Sequence, residues 1–250
     1  MIDLELDGKT AIVTGASRGL GRATAEALYE QGVRLLAAAR SIDQLKNLES
    51  RDPERIRAVQ CDMQDRAAVA ALPATAISSF GRIDIVVNNA GIAPAGKFVE
   101  HDDALWQKVM AVNVLAPVAL ARAAGVHMLK QGSGKIINIA STSGILGKST
   151  LVAYSSSKGA LLQMTKALGA EWASRGVQVN AIAPGAFETD AQRLVLESPE
   201  ILKRRLGKIP QRRMGTAEEI GPLVCYLASQ KSSFITGSVL VIDGGESSKL

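Results

Sequence analysis

Between Thr10 and Gln31 the chain passes from a short apolar run through a glycine cluster into a helical pattern, and few folds accept that order. Thr10-Ala-Ile-Val-Thr14 has the length and side-chain types of a buried strand. It runs into Gly15-Ala-Ser-Arg-Gly19-Leu-Gly21, after which Ala23, Ala27 and Leu28 recur at helical spacing until Gly32 stops the run. Glycines there let the backbone turn tightly and approach a pyrophosphate, whose charge then sits at the helix N-terminus. A tight strand–helix turn with no ligand is the plainer alternative. With the flanking pattern intact, a nucleotide is expected over Gly15, Ser17, Arg18, Gly19, Leu20 and Gly21.

Val33 to Ala39 reads as a second strand ending at Arg40. In a dinucleotide fold an acidic residue at this place bonds the ribose hydroxyls, whereas an arginine accommodates a 2′-phosphate. Arg40 stands there and Arg18 lies in the glycine loop, so NADP(H) is expected, with NAD(H) as the alternative. One of the two arginines could instead cover the adenine face. Arg57 to Gln60 is a third strand, leading to Asp62 and Met63. Asp62 could accept from the adenine amine or cap the helix expected over Gln64 to Phe80. Ile83 to Val87 is a fourth strand, followed by Asn88, Asn89, Ala90 and Gly91. Small residues here let a cofactor lie close to the backbone, and the asparagines can pin the loop through side-chain bonds to main chain.

A helical segment from about Asp102 to Gln131 carries Asn113 among Val109, Val112, Val114 and Leu115. A buried amide needs partners: Asn113 is either a satisfied core residue or a perturbation that holds a water on a proton path. Ile136 to Ala140 is a fifth strand and ends on Ser141. A loop with Gly144 and Gly147 follows, and Tyr154 and Lys158 open another helix. Val177 to Ala183 is a sixth strand, running into Pro184, Gly185, Phe187 and Thr189. Thr189 is suited to a nicotinamide carboxamide or to capping the next helix. A basic, mobile segment, about 186–213, has the placement of a substrate lid. A helix over Ala217 to Gln230 and a seventh strand from Gly237 to Ile242 complete the pattern. No repeat or linker divides residues 1–250, so one domain is expected.

Tyr154 and Lys158 lie four apart, on one face of a helix. A free phenol titrates near 10, and an adjacent ammonium favours the phenolate. Ser141 could steady a substrate oxygen as charge develops on it. A Tyr-x-x-x-Lys pair alone arises often by chance; its neighbours decide.

Of the 250 residues 47% are apolar and 21% charged, an ordinary composition for a packed α/β chain. The net charge of +5 is spread rather than gathered on a face with aromatics, which argues against nucleic acid. Cys61 and Cys225 stand far apart without a histidine cluster, so neither disulfide framework nor metal site is expected. The first residues lack the blocks of a signal peptide, and no apolar run of about 18 residues is apparent. A cytoplasmic protein without a membrane segment is expected.

Thr14-Gly15-x-x-x-Gly19-x-Gly21, Asn88-Asn-Ala-Gly91, Asn113, Ser141, Tyr154-x-x-x-Lys158 and Pro184-Gly185, in this order, resemble the short-chain dehydrogenase/reductase family from Lys9 to Gly245. The resemblance implies a Rossmann-type, doubly wound α/β fold with a seven-stranded parallel sheet and helices on both faces, commonly assembled as a homotetramer. It implies hydride exchange between a nicotinamide cofactor and a small carbonyl or alcohol substrate. Tyr154 would be the general acid/base, Lys158 would lower its pKa and bond the nicotinamide ribose, Ser141 would orient the substrate oxygen, and Asn113 would complete a proton relay.

The segments 132–141, 177–185 and 233–237 look similar to gluconate 5-dehydrogenase-like sugar-acid members. A 3-oxoacyl-[acyl-carrier-protein] reductase has nearly the same framework and would need basic docking residues, for which Arg175 is suited. Residues 142–147 are small or aliphatic and offer no carboxylate clamp. A catalytically silent NADP(H)-binding sensor is the reading of a different class.

Overall fold

The structure, a computed structural model, describes residues 3–248. Its frame is a parallel sheet of seven strands: β1 (Thr10–Thr14), β2 (Arg34–Ala39), β3 (Ile56–Gln60), β4 (Ile85–Asn88), β5 (Gly134–Ile139), β6 (Val177–Pro184) and β7 (Val239–Ile242). Their order is β3-β2-β1-β4-β5-β6-β7, and every neighbouring pair runs parallel. β1, β4, β5 and nearly all of β6 are buried, which is why apolar residues dominate them without a strict alternation. The order reverses between β1 and β4, and ligands of such sheets bind in the crevice outside the strand ends at that point.

The connections are α1 (Gly19–Glu30), α2 (Ile42–Glu49), α3 (Arg66–Phe80), α4 (Asp103–Met110) and α5 (Ala116–Gln131), then α6 (Ser143–Leu146) and α7 (Val152–Trp172). Beyond β6 come α8 (Arg193–Leu196), α9 (Pro199–Lys208) and α10 (Gly221–Ala228). Alternate side chains of the strands feed two apolar layers. Ala11, Val13, Ile137 and Ile139 pack with α1 and α10, whereas Ile12, Ile136 and Val179 pack with α3 and α5. A small separate cluster joins Leu202 and Leu206 of α9 to Ala186, Ile209 and Met214.

Several boundaries shift for local reasons. α1 begins at Gly19 rather than Arg22, because the glycine turn already supplies its first turn. The cap of α3 is Asp65, whose carboxylate accepts from the N–H groups of Ala67 and Ala68; Asp62 instead accepts from Gln64 N–H. The long helix from Asp103 is interrupted by a π-turn at Ala111–Leu115, centred on Asn113. The expectation that no stretch is apolar enough to cross a bilayer needs correction. Asp103–Gln131 qualifies by length and composition, although half of its most apolar stretch is buried within the protein. Cys61 and Cys225 are both buried and unpaired, and burial pushes each thiol up to about 11.

Candidate active site

The ends of β1, β2, β4, β5 and β6 open on a cleft of about 490 Å³, within the range of small-molecule sites. Its floor begins at the glycine turn. Gly15 has φ +67°, and a β-carbon on Gly21 would lie 2.2 Å from the Gly15 carbonyl oxygen, so the turn closes only with glycine at both places. Asn89 fastens this turn to β4: its Nδ2 donates to the carbonyls of Thr14 (2.8 Å) and Gly15 (3.3 Å). Thr14 Oγ1 accepts from the N–H groups of Asn89 and Ala90, at 3.0 and 3.1 Å. Of the two asparagines expected to pin the loop to main chain, Asn89 does so, whereas Asn88 bonds the Asn138 side chain.

Arg18 and Arg40 both line the cleft, beside Asp62 and Met63. Arg40 is exposed at the end of β2. Arg18 leans towards Asp190, 3.7 Å away on the far lip, a pairing that sequence reading missed. Ser17, Leu20, Ala90, Gly91, Pro184 and Thr189 line the same cleft. Thr189 makes no side-chain cap to the turn that follows it, which removes the capping reading. Gly185 and Phe187 sit elsewhere. Gly185 packs against Asp243, and Phe187 is buried against Gly215 beside a separate cavity of about 140 Å³. Lys108, Ser41 and Gln44 join the cleft wall without any motif to announce them.

Tyr154 and Lys158 rise from the first two turns of α7 at the inner end of this cleft. Lys158 is fully enclosed; its Nζ lies 5.7 Å from the centre of the Tyr154 ring and donates to the Ile139 carbonyl at 2.7 Å. Burial pulls the ammonium down to about 8. The phenol of Tyr154 is raised above its ordinary value, because burial outweighs a hydrogen bond with Ser141 that favours the phenolate. The expected acidification by the ammonium is therefore not a property of the protein by itself. Desolvation of both groups acts in the opposite sense and keeps the phenol protonated.

Asn113 is fully buried on the π-turn. Its Nδ2 donates to the Ile92 carbonyl and to Ser157 Oγ, both at 2.9 Å, and its Oδ1 accepts from Ile92 N–H. Ser157 Oγ in turn donates to the Tyr154 carbonyl. The amide is satisfied, as the plainer reading of Asn113 has it, and the helix is perturbed around it. A β-carbon on Gly91 would stand 3.4 Å from both Asn113 Oδ1 and Lys158 Nζ, so these two groups flank the same small space. Below them Asn138, unremarked in the sequence, accepts from Asn88 Nδ2 and donates to Thr165 on α7, each at 2.8 Å. That chain of amides ties β4, β5 and α7 together.

Arg175, offered as a docking residue, ends up at the wrong edge. It lies past the C-terminal end of α7, roughly 30 Å along the axis from Tyr154 at 1.5 Å per residue. Its guanidinium donates to the Leu129 carbonyl.

Comparison with known proteins places these features in context. A family model described as enoyl-(acyl carrier protein) reductase matches residues 15–247. A 2-dehydro-3-deoxy-D-gluconate 5-dehydrogenase from Pseudoalteromonas atlantica is 40% identical over 249 residues, covering 96% of each chain. A 3-oxoacyl-[acyl-carrier-protein] reductase from Salmonella typhimurium is 35% identical, covering 97% of this chain and 98% of the relative. A crystal structure of a gluconate 5-dehydrogenase from Burkholderia cenocepacia, in complex with NADP and tartrate, superposes with a TM-score of 0.94 at 33% identity. It covers 99% of this chain and 98% of its own.

Proposed function

Since the chain belongs to the short-chain dehydrogenase/reductase family, and is thus an oxidoreductase acting on CH–OH groups, we propose that it interconverts a ketone and a secondary alcohol on a sugar acid with NADP(H). One observation carries the reading: the Tyr154 phenol, with the buried Lys158 ammonium beside its ring, closes the inner end of a cleft that begins at the glycine turn. The residues suit a dinucleotide. Gly15 and Gly21 leave room for a close backbone approach, α1 points its N-terminus at the turn, and Arg40 offers a guanidinium where a 2′-phosphate would lie.

The cofactor supplies or receives the hydride; the protein handles the proton. In reduction Tyr154 donates its phenolic proton to the oxygen of the former carbonyl, and in oxidation it takes that proton back. Ser141 holds the same oxygen and stabilises its developing charge. Lys158 stabilises the tyrosinate left after proton donation, and Asn113 connects the lysine to solvent. The protonated phenol of the protein by itself is ready for reduction.

The sugar-acid reading is supported by the 40% identical relative and by the Burkholderia gluconate 5-dehydrogenase, whose complex holds NADP and the hydroxy-dicarboxylate tartrate. An acyl-thioester reading draws on the Salmonella relative and on exposed Ile145 and Leu146 near the site, but Arg175 no longer supports it. We read residues 1–250 as one domain with a lid at about 186–213, whose α9 has its own small core. A homotetramer fits the exposed Leu115 at the end of the π-turn, Val126 on α5, and Phe234 and Val241 around β7; light scattering after gel filtration tests the assembly. The deciding assay follows reduced-nicotinamide absorbance with both cofactors against sugar-acid, acyl-thioester and simple ketone substrates. Turnover confined to acyl-thioesters refutes the sugar-acid reading, and tight NADPH binding with no turnover at all favours a sensor.

A further inference from the structure

Two anions have a claim on Arg18. One belongs to the protein: the Asp190 carboxylate, 3.7 Å from the guanidinium and, like it, part of the cleft wall. The other is the 2′-phosphate of NADP(H). The glycine turn starts hard against the end of β2, where the N–H groups of Gly15 and Ala16 donate to the Ala38 carbonyl at 2.7 and 3.4 Å. Arg18 therefore leaves the turn at the end of the cleft where Arg40 follows β2.

Asp190 comes from the opposite wall, at the start of the segment that follows β6. That segment has a fixed root. Phe187 pairs with Gly215, Glu188 N–H donates to the Gly215 carbonyl at 2.8 Å, and Gly215 N–H donates to the Ala186 carbonyl at 3.0 Å. Just past the root Thr189 meets the glycine turn: a β-carbon on Gly19 would stand 3.5 Å from Thr189 Cγ2. Asp190 is next and spans to Arg18. Beyond it the bonds are local, from Gln192 N–H to the Thr189 carbonyl and between the side chains of Arg193 and Glu197. α8 buries none of its residues. Among the described residues, Arg18–Asp190 is the one ion pair that joins residues 189–198 to the rest of the chain.

A phosphate monoester carries about −1.5 to −2 at neutral pH, more than a carboxylate, and a guanidinium matches its geometry. Such a group draws Arg18 from Asp190, and the carboxylate left nearby repels it. A ribose with a free 2′-hydroxyl does neither. We propose that Asp190 is a positioning residue for cofactor selection: it competes with the 2′-phosphate for Arg18 and so holds the preference for NADP(H) below what the two arginines alone would give. The proposal rests on the reading that Arg18 and Arg40 face that phosphate.

The test titrates NADPH and NADH, followed by nicotinamide fluorescence, into the wild type, Asp190→Asn, Arg18→Gln and the double variant Arg18→Gln/Asp190→Asn. Both side chains of the pair are 67% exposed, and an exposed pair is worth up to about fivefold in an equilibrium constant. Asp190→Asn is expected to tighten NADPH about two- to fivefold and to leave NADH unchanged. In the Arg18→Gln background the same replacement should change neither affinity. An unchanged NADPH affinity, a gain shared by both cofactors, or an equal gain without Arg18 overturns the proposal. So does a loss common to both cofactors, which would mean that the pair closes over the bound dinucleotide. Should the wild type bind the two cofactors alike, the NADP(H) preference fails by itself. The same cycle still decides whether Asp190 opposes the phosphate.

Discussion

Replacing Lys135 by methionine is expected to make the protein more stable at neutral pH. Lys135 lies on β5 with 4% of its surface exposed, and its Nζ is buried with no hydrogen-bond partner. Burial alone holds its ammonium at about 8, against 10.5 for a free lysine. At roughly 1.4 kcal/mol per tenfold change in proton affinity, that gap corresponds to about 3 kcal/mol of destabilisation while the folded lysine stays charged. Below pH 8 both the folded and the unfolded chain hold the proton, and the penalty is complete. Between 8 and 10.5 the unfolded lysine keeps a proton that the folded one has released. Unfolding then takes up protons, and stability rises with pH. Above 10.5 the penalty is gone. Methionine fills a similar length without a charge, so Lys135→Met should exceed the wild type by up to about 3 kcal/mol at pH 7, and the advantage should shrink from pH 8 upwards. Lys158 is depressed as well, but it is common to both proteins and cancels in the difference. Urea denaturation at pH 7, 8, 9 and 10 reads this directly. A variant no more stable at pH 7, or an advantage that ignores pH, refutes the reasoning.

Tyr154→Phe removes the proton donor and should lower kcat by about 10²–10⁴-fold, while fluorescence titration finds NADPH affinity largely intact; retained turnover removes Tyr154 as the acid. Arg40→Asp should move the kcat/KM preference towards NADH by about 10- to 100-fold, the worth of a charge-assisted bond; an unchanged preference shows that Arg40 does not read the 2′-phosphate. Thr14→Val leaves the N–H groups of Asn89 and Ala90 without their acceptor. It should cost about 2–4 kcal/mol in denaturant unfolding, and a smaller loss means that the turn finds other partners.

The strands, the glycine turn and the positions of Tyr154 and Lys158 were legible because each obeys a local rule of periodicity or spacing. What escaped was set by groups distant in sequence. Asp190 is 172 residues beyond Arg18 yet stands across the cleft from it, and the bond from Asn138 to Thr165 exists only once β5 lies under α7. The sign of the Tyr154 shift was misjudged for a related reason. A charge four residues away is visible in the sequence, whereas the desolvation that raises the phenol depends on how much chain folds around it. Arg175 failed more simply: α7 is 21 residues long, so a residue past its far end lies at the opposite end of the strands from the cleft.

The π-turn at Ala111–Leu115 carries one residue more than an α-turn would need. Each residue of a helix advances its phase by about 100°. Keeping every residue but winding this turn as regular α-helix would swing Ala116, Leu120, Ala124 and Met128, now buried against the sheet and its neighbours, through roughly a right angle. The insertion that sets the buried amide beside α7 is thus also the phase key for the whole of the following helix. Straightening it would forfeit the amide's position and α5's seat together.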